Sequence, residues 1–143
     1  MKKILVATDG SEIADRALEA ACLLAQSFAA EIVLVNVEQG FPATDVEPLN
    51  TAQVATIDEV LYAASTKLLA RAVAKAKTLG VTDIRTQSGL GDPAGCVLDL
   101  AKREKPDLIV VGRRGRGQLA GLLMGSVSQK LASLAPCEVL VVP

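Results

Sequence analysis

The chain has 143 residues, half of them hydrophobic, and a formal net charge of −1. That length suits one domain, residues 1–143, able to bury a core without disulfides or metal, and the even charge balance gives no global attraction to nucleic acid or an anionic membrane. Histidine is absent, which removes the commonest general base and the commonest transition-metal ligand, so catalysis would rest on carboxylates, lysine or metal-bound water.

The start, Met1-Lys2-Lys3, leads into Ile4-Leu-Val-Ala7 and then Thr8-Asp9-Gly10. Four apolar residues are too few for a signal peptide, and no apolar run in the chain approaches a membrane span. A short continuous apolar run bounded by turn residues predicts a strand buried on both faces, as in a parallel sheet. From Ser11, a suitable N-cap, the positions Ile13, Ala17, Ala20, Ala21, Leu24 and Phe28 keep helical spacing. Ile32-Val-Leu-Val35 continues through Asn36-Val37 as a second strand, and a right-handed crossover makes it parallel to the first. Residues 38 to 52 contain Gly40, Pro42 and Pro48 without a period, so this connection reads either as a lid or as a variable surface loop.

A long amphipathic helix is predicted from about Ala52 to Leu79, with Ile57, Leu61, Ala64, Leu68, Ala72, Ala76 and Leu79 on one face and Gly80 as its stop. Val81 to Ser88 is polar around Ile84, which suits a strand at the sheet edge. Asp92-Pro93 opens a helix over about 93 to 104, Asp as N-cap and Pro in the first turn. Leu108-Ile-Val-Val111 is the fourth strand. Val127, Leu131 and Leu134 carry a short helix that Pro136 ends, and Val139-Leu-Val-Val142 is the fifth strand. This alternation predicts a three-layer α/β sandwich around five mostly parallel strands, in the order 3-2-1-4-5. Cys22, Cys96 and Cys137 are odd in number and sit in apolar contexts, which predicts buried reduced thiols and a cytoplasmic protein.

In such a sheet, ligands bind beyond the carboxyl ends of the strands where the order reverses. Two turns would meet there. One is Ala7-Thr8-Asp9-Gly10-Ser11. The other begins at Gly112, where Gly112, Gly115, Gly117 and Gly121 allow close backbone approach and Arg113, Arg114 and Arg116 add positive charge. Gly125-Ser126 then opens a helix whose free N–H groups suit a phosphate, with the Ser126 and Ser128 hydroxyls as further donors. The stretch reads as a phosphate cradle, against the plainer reading of a glycine-rich surface loop with solvated arginines. Asp9 can accept from ribose hydroxyls or help hold a phosphate-bound Mg²⁺, or can serve only as turn chemistry. A Walker-type loop is absent, and the loose dinucleotide pattern fits both Gly115–Ala120 and Gly89–Ala94, which makes it weak.

The spacing Gly112-x-x-Gly115, nine residues, Gly125-Ser126 resembles the ATP-binding signature of the universal stress protein family. The similarity extends over Lys2–Ser11, Gly91-Asp-Pro-Ala94, Pro106–Gly112 and Pro136–Pro143, nearly the whole chain. It implies a Rossmann-like fold of the adenine nucleotide alpha hydrolase kind, usually dimeric, with bound ATP. By position, Ala7, Thr8 and Asp9 would border adenosine and Val37 would pack against adenine. Gly112, Gly115, Gly125 and Ser126 would hold the phosphates, with Arg113, Arg114, Arg116, Gly117, Gln118, Val127 and Ser128 as motif neighbours. Many relatives carry a small polar residue and often histidine where this chain has Arg113-Arg114, so those side-chain roles do not transfer. The three arginines can add to triphosphate affinity or recruit an acidic partner.

No residue set forms a strong catalytic centre, so the expected function is an ATP-binding stress-response or signalling switch with at most slow hydrolysis and an unidentified signalling partner. Two alternatives remain: a nucleotide hydrolase or nucleotidyl-transfer enzyme of a related fold, and a nucleotide-free interaction module. The strand Val139–Val142 is strongly apolar for a sheet edge and is expected to form a homodimer interface.

Overall fold

A computed structural model of the chain describes residues 1–40, 51–115 and 123–143. The elements run β1 (Lys3–Ala7), α1 (Glu12–Phe28), β2 (Glu31–Glu38), α2 (Thr51–Thr78), β3 (Ile84–Leu90), α3 (Pro93–Glu104), β4 (Leu108–Gly112), α4 (Ser126–Leu134) and β5 (Glu138–Val142). The five strands form one sheet in the order β3-β2-β1-β4-β5, and each neighbouring pair is parallel. Residues 41–50, most of the connection expected between 38 and 52, lie outside the described residues.

Alternation along the strands separates two cores. Ile4, Val6, Ile32, Leu34, Leu108 and Val110 face one side, where they pack on Ala17, Leu18 and Ala21 of α1 and on Leu69, Ala72 and Ala76 of α2. Leu5, Val33, Val35, Ile109 and Val111 face the other, against Val97, Leu100 and Ala101 of α3 and Leu131 of α4. Each fully buried aliphatic side chain contributes roughly 1.5–3 kcal/mol of transfer free energy. The small residues of α1 and α2 let those helices lie close to the sheet.

Local chemistry sets the boundaries. The Ser11 side chain accepts from the Ala14 N–H to start α1, and Asp92 accepts from the Gly95 N–H to start α3, with Pro93 in the first turn. Ala29 and Lys105 end these helices in the left-handed conformation, and Gly80 follows α2 at φ +87°.

Two predicted helix faces are corrected. In α1 the buried positions are Ala14, Ala17, Leu18, Ala21, Cys22 and Ala25, whereas Phe28 is 53% exposed in the last turn. In α2 Ala64 is exposed and Ser65 takes the inward place, its hydroxyl donating to Ser88 Oγ at 3.1 Å. Leu69 is buried below it, while Leu79 is exposed beyond the end of α2. Cys22 is buried, but Cys96 and Cys137 are only half-buried; all three are free, and burial is the main cause that raises each thiol pKa. Neutral thiols result. Among the described residues no helix is long and apolar enough to cross a membrane.

At the amino ends of the strands, Lys3, Glu31, Arg85 and Glu104 form an ionic cluster. Lys3 Nζ lies 3.0 Å from Glu104 Oε2 and Arg85 Nη2 lies 2.8 Å from the same oxygen, while Arg85 Nε pairs with Glu31. Hydrogen bonds, first from Arg85 and then from Lys3, hold the Glu104 carboxyl down to about 2. A depressed carboxyl stabilises the fold above its unfolded pKa and loses that contribution as pH falls through the folded value. Because Arg85 is half-exposed, solvent screening limits the effect to about 1 kcal/mol. Glu104→Gln should lower stability by about that amount at pH 7, and urea denaturation of the two proteins should converge between the ordinary carboxyl pKa of 4.5 and about 2. A constant difference across that range would contradict the assignment.

Candidate functional site

The sheet order reverses between β1 and β4, so the loops leaving these strands diverge and open a crevice at their carboxyl ends. A cleft of about 530 Å³ occupies that place, within the size range of small-molecule sites. Its floor is apolar: Ala7, Val35 and Val111 at the strand ends, with Val97 of α3 and Val127 of α4. Its polar lining is Thr8, Asp9, Asn36 and Glu38 on one side and Arg113, Arg114 and Gly115 on the other.

The turn after β1 is fixed by five hydrogen bonds. Thr8 N–H donates to Val35 O at 2.9 Å, which extends the β1–β2 ladder. Gly10 N–H donates to Thr8 Oγ1 at 3.2 Å, and Ser11 N–H donates to Asp9 Oδ1 at 2.9 Å. From β2, Asn36 Nδ2 donates to Thr8 O at 2.8 Å in a buried contact. Arg71 of α2 adds a guanidinium donor to Gly10 O at 3.0 Å. Gly10 takes φ +77°, which the turn requires. Asp9 is therefore held at the mouth of the cleft before any ligand arrives.

The facing loop is stitched just as closely. Arg113 N–H donates to Val142 O at 2.6 Å, and Arg113 O accepts from Gly125 N–H at 2.7 Å. Ser128 Oγ lies 2.7 Å from the same Arg113 carbonyl and 3.1 Å from Gly125 O. The two halves of the motif thus meet through one carbonyl. No side chain caps α4, whose N-cap is Gly125, so the N–H groups of Ser126, Val127 and Ser128 lack intrahelical acceptors and form the positive end of the helix. That donor set fits an anion.

Glycine is required here for different reasons at different positions. A Cβ at Gly115 would collide with the Asp9 carboxylate, so the two loops touch across the cleft. At Gly125 a Cβ would lie 3.2 Å from Arg113 O and 3.4 Å from Arg114 Cα. At Gly112 it would lie 2.7 Å from Ile13 Cγ2 and 3.3 Å from the Ile13 carbonyl carbon, so this glycine admits α1 against β4.

Of the residues singled out in the sequence, Ala7, Thr8, Asp9, Val37, Gly112, Arg113, Arg114, Gly115, Gly125, Ser126, Val127 and Ser128 all line this one cleft. Arg116, Gly117 and Gln118 lie outside the described residues. The Ser128 hydroxyl is engaged with backbone carbonyls, where it braces the loop. Asn36 and Arg71 were missed. Asn36 carried a signal, as the one polar residue inside the apolar run from Ile32 to Val37; Arg71 carried none, since its contact joins residues far apart in sequence.

Among known protein families, the Universal stress protein family matches residues 1–143. The chain belongs to this family. It is 37% identical over 145 aligned positions to a universal stress protein of Thermus aquaticus, covering 99% of this chain and 98% of the relative. The universal stress protein UspA from Lactobacillus plantarum superposes with a TM-score of 0.83 at 25% identity, covering 99% of this chain and 97% of that one. A universal stress protein solved in complex with cAMP superposes with a TM-score of 0.75 at 28% identity, over 99% and 97% of the two chains. The five-stranded parallel sheet in the order 3-2-1-4-5 is the architecture of universal stress proteins.

Proposed function

We propose that this universal stress protein is a single-domain, ATP-binding switch in stress response or signalling, and that the cleft between the Asp9 turn, the Gly112–Gly115 segment and the Gly125–Ser128 start of α4 is its nucleotide site. One observation carries the reading: two loops from opposite sides of the sheet reversal, together with the uncapped N-terminus of α4, converge on a single cleft with an apolar floor. The base packs on the apolar side near Val37, Asp9 takes the ribose, and Gly115, Gly125 and the first turn of α4 take the phosphates. Mg²⁺ entering with the nucleotide would find the Asp9 carboxylate at the cleft mouth. The ion would neutralise phosphate charge, and hydrolysis is slow or absent.

A second reading is favoured by the relative solved with cAMP: the same cleft holds a cyclic nucleotide. Mass spectrometry of nucleotide released from gently purified protein distinguishes the two. Released ATP supports the proposal, released cAMP transfers the site to the second reading, and protein that neither retains nor takes up nucleotide overturns both in favour of a nucleotide-free module.

We further propose a homodimer through β5 and a cytoplasmic location. β5 is the edge strand beside β4, and its apolar run leaves Leu140 36% exposed; exposed apolar edges need covering. Light scattering at micromolar concentration should give a dimer for the wild type and a monomer for Leu140→Glu. A monomeric wild type would contradict the interface.

A further inference from the structure

We propose that Arg113 and Arg114 select the ligand by the charge of its phosphate chain, so that the cleft takes a nucleoside polyphosphate in preference to a nucleoside monophosphate or cyclic monophosphate. This rests on the nucleotide reading of the same cleft and goes beyond it by assigning a specificity role to the two arginines.

Both arginines line the cleft and both are half-buried. The Nε–H of each is shielded from solvent and has no hydrogen-bond partner among the described residues. Neither guanidinium joins any ion pair found among those residues. A shielded N–H donor without an acceptor is unfavourable, and arginine differs from lysine in offering a planar fork that matches phosphate oxygens. An anion in the cleft would supply the missing acceptors. The backbone beneath the arginines is fixed, because Arg113 is bound at its N–H by Val142 O and at its carbonyl by Gly125 and Ser128. The pair therefore needs little reorganisation of its backbone on binding.

The amount of positive charge identifies the class of anion. The first turn of α4 already offers three N–H groups and a helix dipole to one phosphate. A cyclic monophosphate carries a single negative charge, which that helix end suffices to meet. Two additional guanidiniums beside it have work only if the phosphate chain extends further and carries more charge. Glu38 and Asp9 are the carboxylates on the cleft lining, and the Asp9 carboxylate lies against Gly115, next to Arg114.

The test compares ATP, AMP and cAMP affinities by calorimetry for the wild type and for the double variant Arg113→Gln/Arg114→Gln. Charge-assisted contacts of this kind predict an ATP affinity lower by at least about tenfold in the double variant, with a several-fold smaller loss for AMP and cAMP, whose one phosphate is already met by the α4 N-terminus. The ratio of ATP to AMP affinity is the readout that a merely structural role would not move. Equal losses for all three ligands, or no loss for any, would overturn the arginine assignment while leaving the nucleotide site standing. A wild type that binds cAMP more tightly than ATP would also overturn it, and a wild type that binds none would overturn the site reading beneath it. Should the double variant not fold, the wild type alone decides the matter: ATP affinity must fall with added KCl more steeply than AMP affinity, and equal salt slopes contradict the proposal.

Discussion

Gly125→Arg is expected to abolish ATP binding at a modest cost to the fold. Gly125 has φ −76° and ψ 165°, a conformation open to any residue, so its role is spatial. A Cβ there already lies 3.2 Å from Arg113 O and 3.4 Å from Arg114 Cα, which leaves a long side chain no direction except outward into the cleft. It would occupy the space in front of the α4 N–H groups, where the phosphates are proposed to sit. The expected loss is more than about 100-fold in affinity, or about 2.7 kcal/mol, because bulk excludes the ligand whatever charge the new side chain brings. The tight backbone contacts lower the thermal midpoint without nucleotide by a few degrees, and the variant remains folded. Isothermal titration checks the affinity, and retention of wild-type ATP affinity would show that the phosphates do not pass this position.

Gly112→Val, only thirteen residues earlier in the same motif, is expected to act on the fold first. The added Cβ would press on Ile13 Cγ2 at 2.7 Å and on the α1 backbone at 3.3 Å and 3.4 Å. Backbone cannot rotate away as a side-chain tip can, so α1 must retreat from β4 and open the core formed by Ala17, Leu18 and Val110. Overpacking of this kind costs roughly 2–3 kcal/mol. Urea denaturation at neutral pH measures it, and a change within about 0.5 kcal/mol would contradict the packing role. The two glycine variants therefore separate the parts of one motif: Gly112 serves helix–sheet packing, and Gly125 keeps space for a ligand.

Much of the fold was legible because strands buried on both faces leave unbroken apolar runs, as in Ile4–Val6, Ile32–Val35 and Leu108–Val111. The edge position of β3 followed from its polar residues, and Asp92-Pro93 marked the start of α3 through local capping chemistry alone. Helix faces were less legible. Ser65 points inward because Ser88 on β3 accepts its hydrogen bond, a partner that no periodicity in α2 reveals, and Phe28 projects outward because it ends α1 where the chain turns at Ala29.

The same division holds for the site. The glycine spacing and the Asp9 turn announced themselves as local patterns, and both lie on one cleft. What braces them did not, because Asn36 reaches Thr8 across 28 residues of sequence and Arg71 reaches Gly10 across 61. The inward turn of the Ser128 hydroxyl depends on where Arg113 O lies, which only the folded chain determines.

The central claim, that the cleft beyond β1 and β4 holds ATP, is tested most directly by calorimetric titration of the wild-type protein with Mg·ATP. The account predicts saturable binding at one site per chain. Absence of binding by folded, nucleotide-free protein would contradict it.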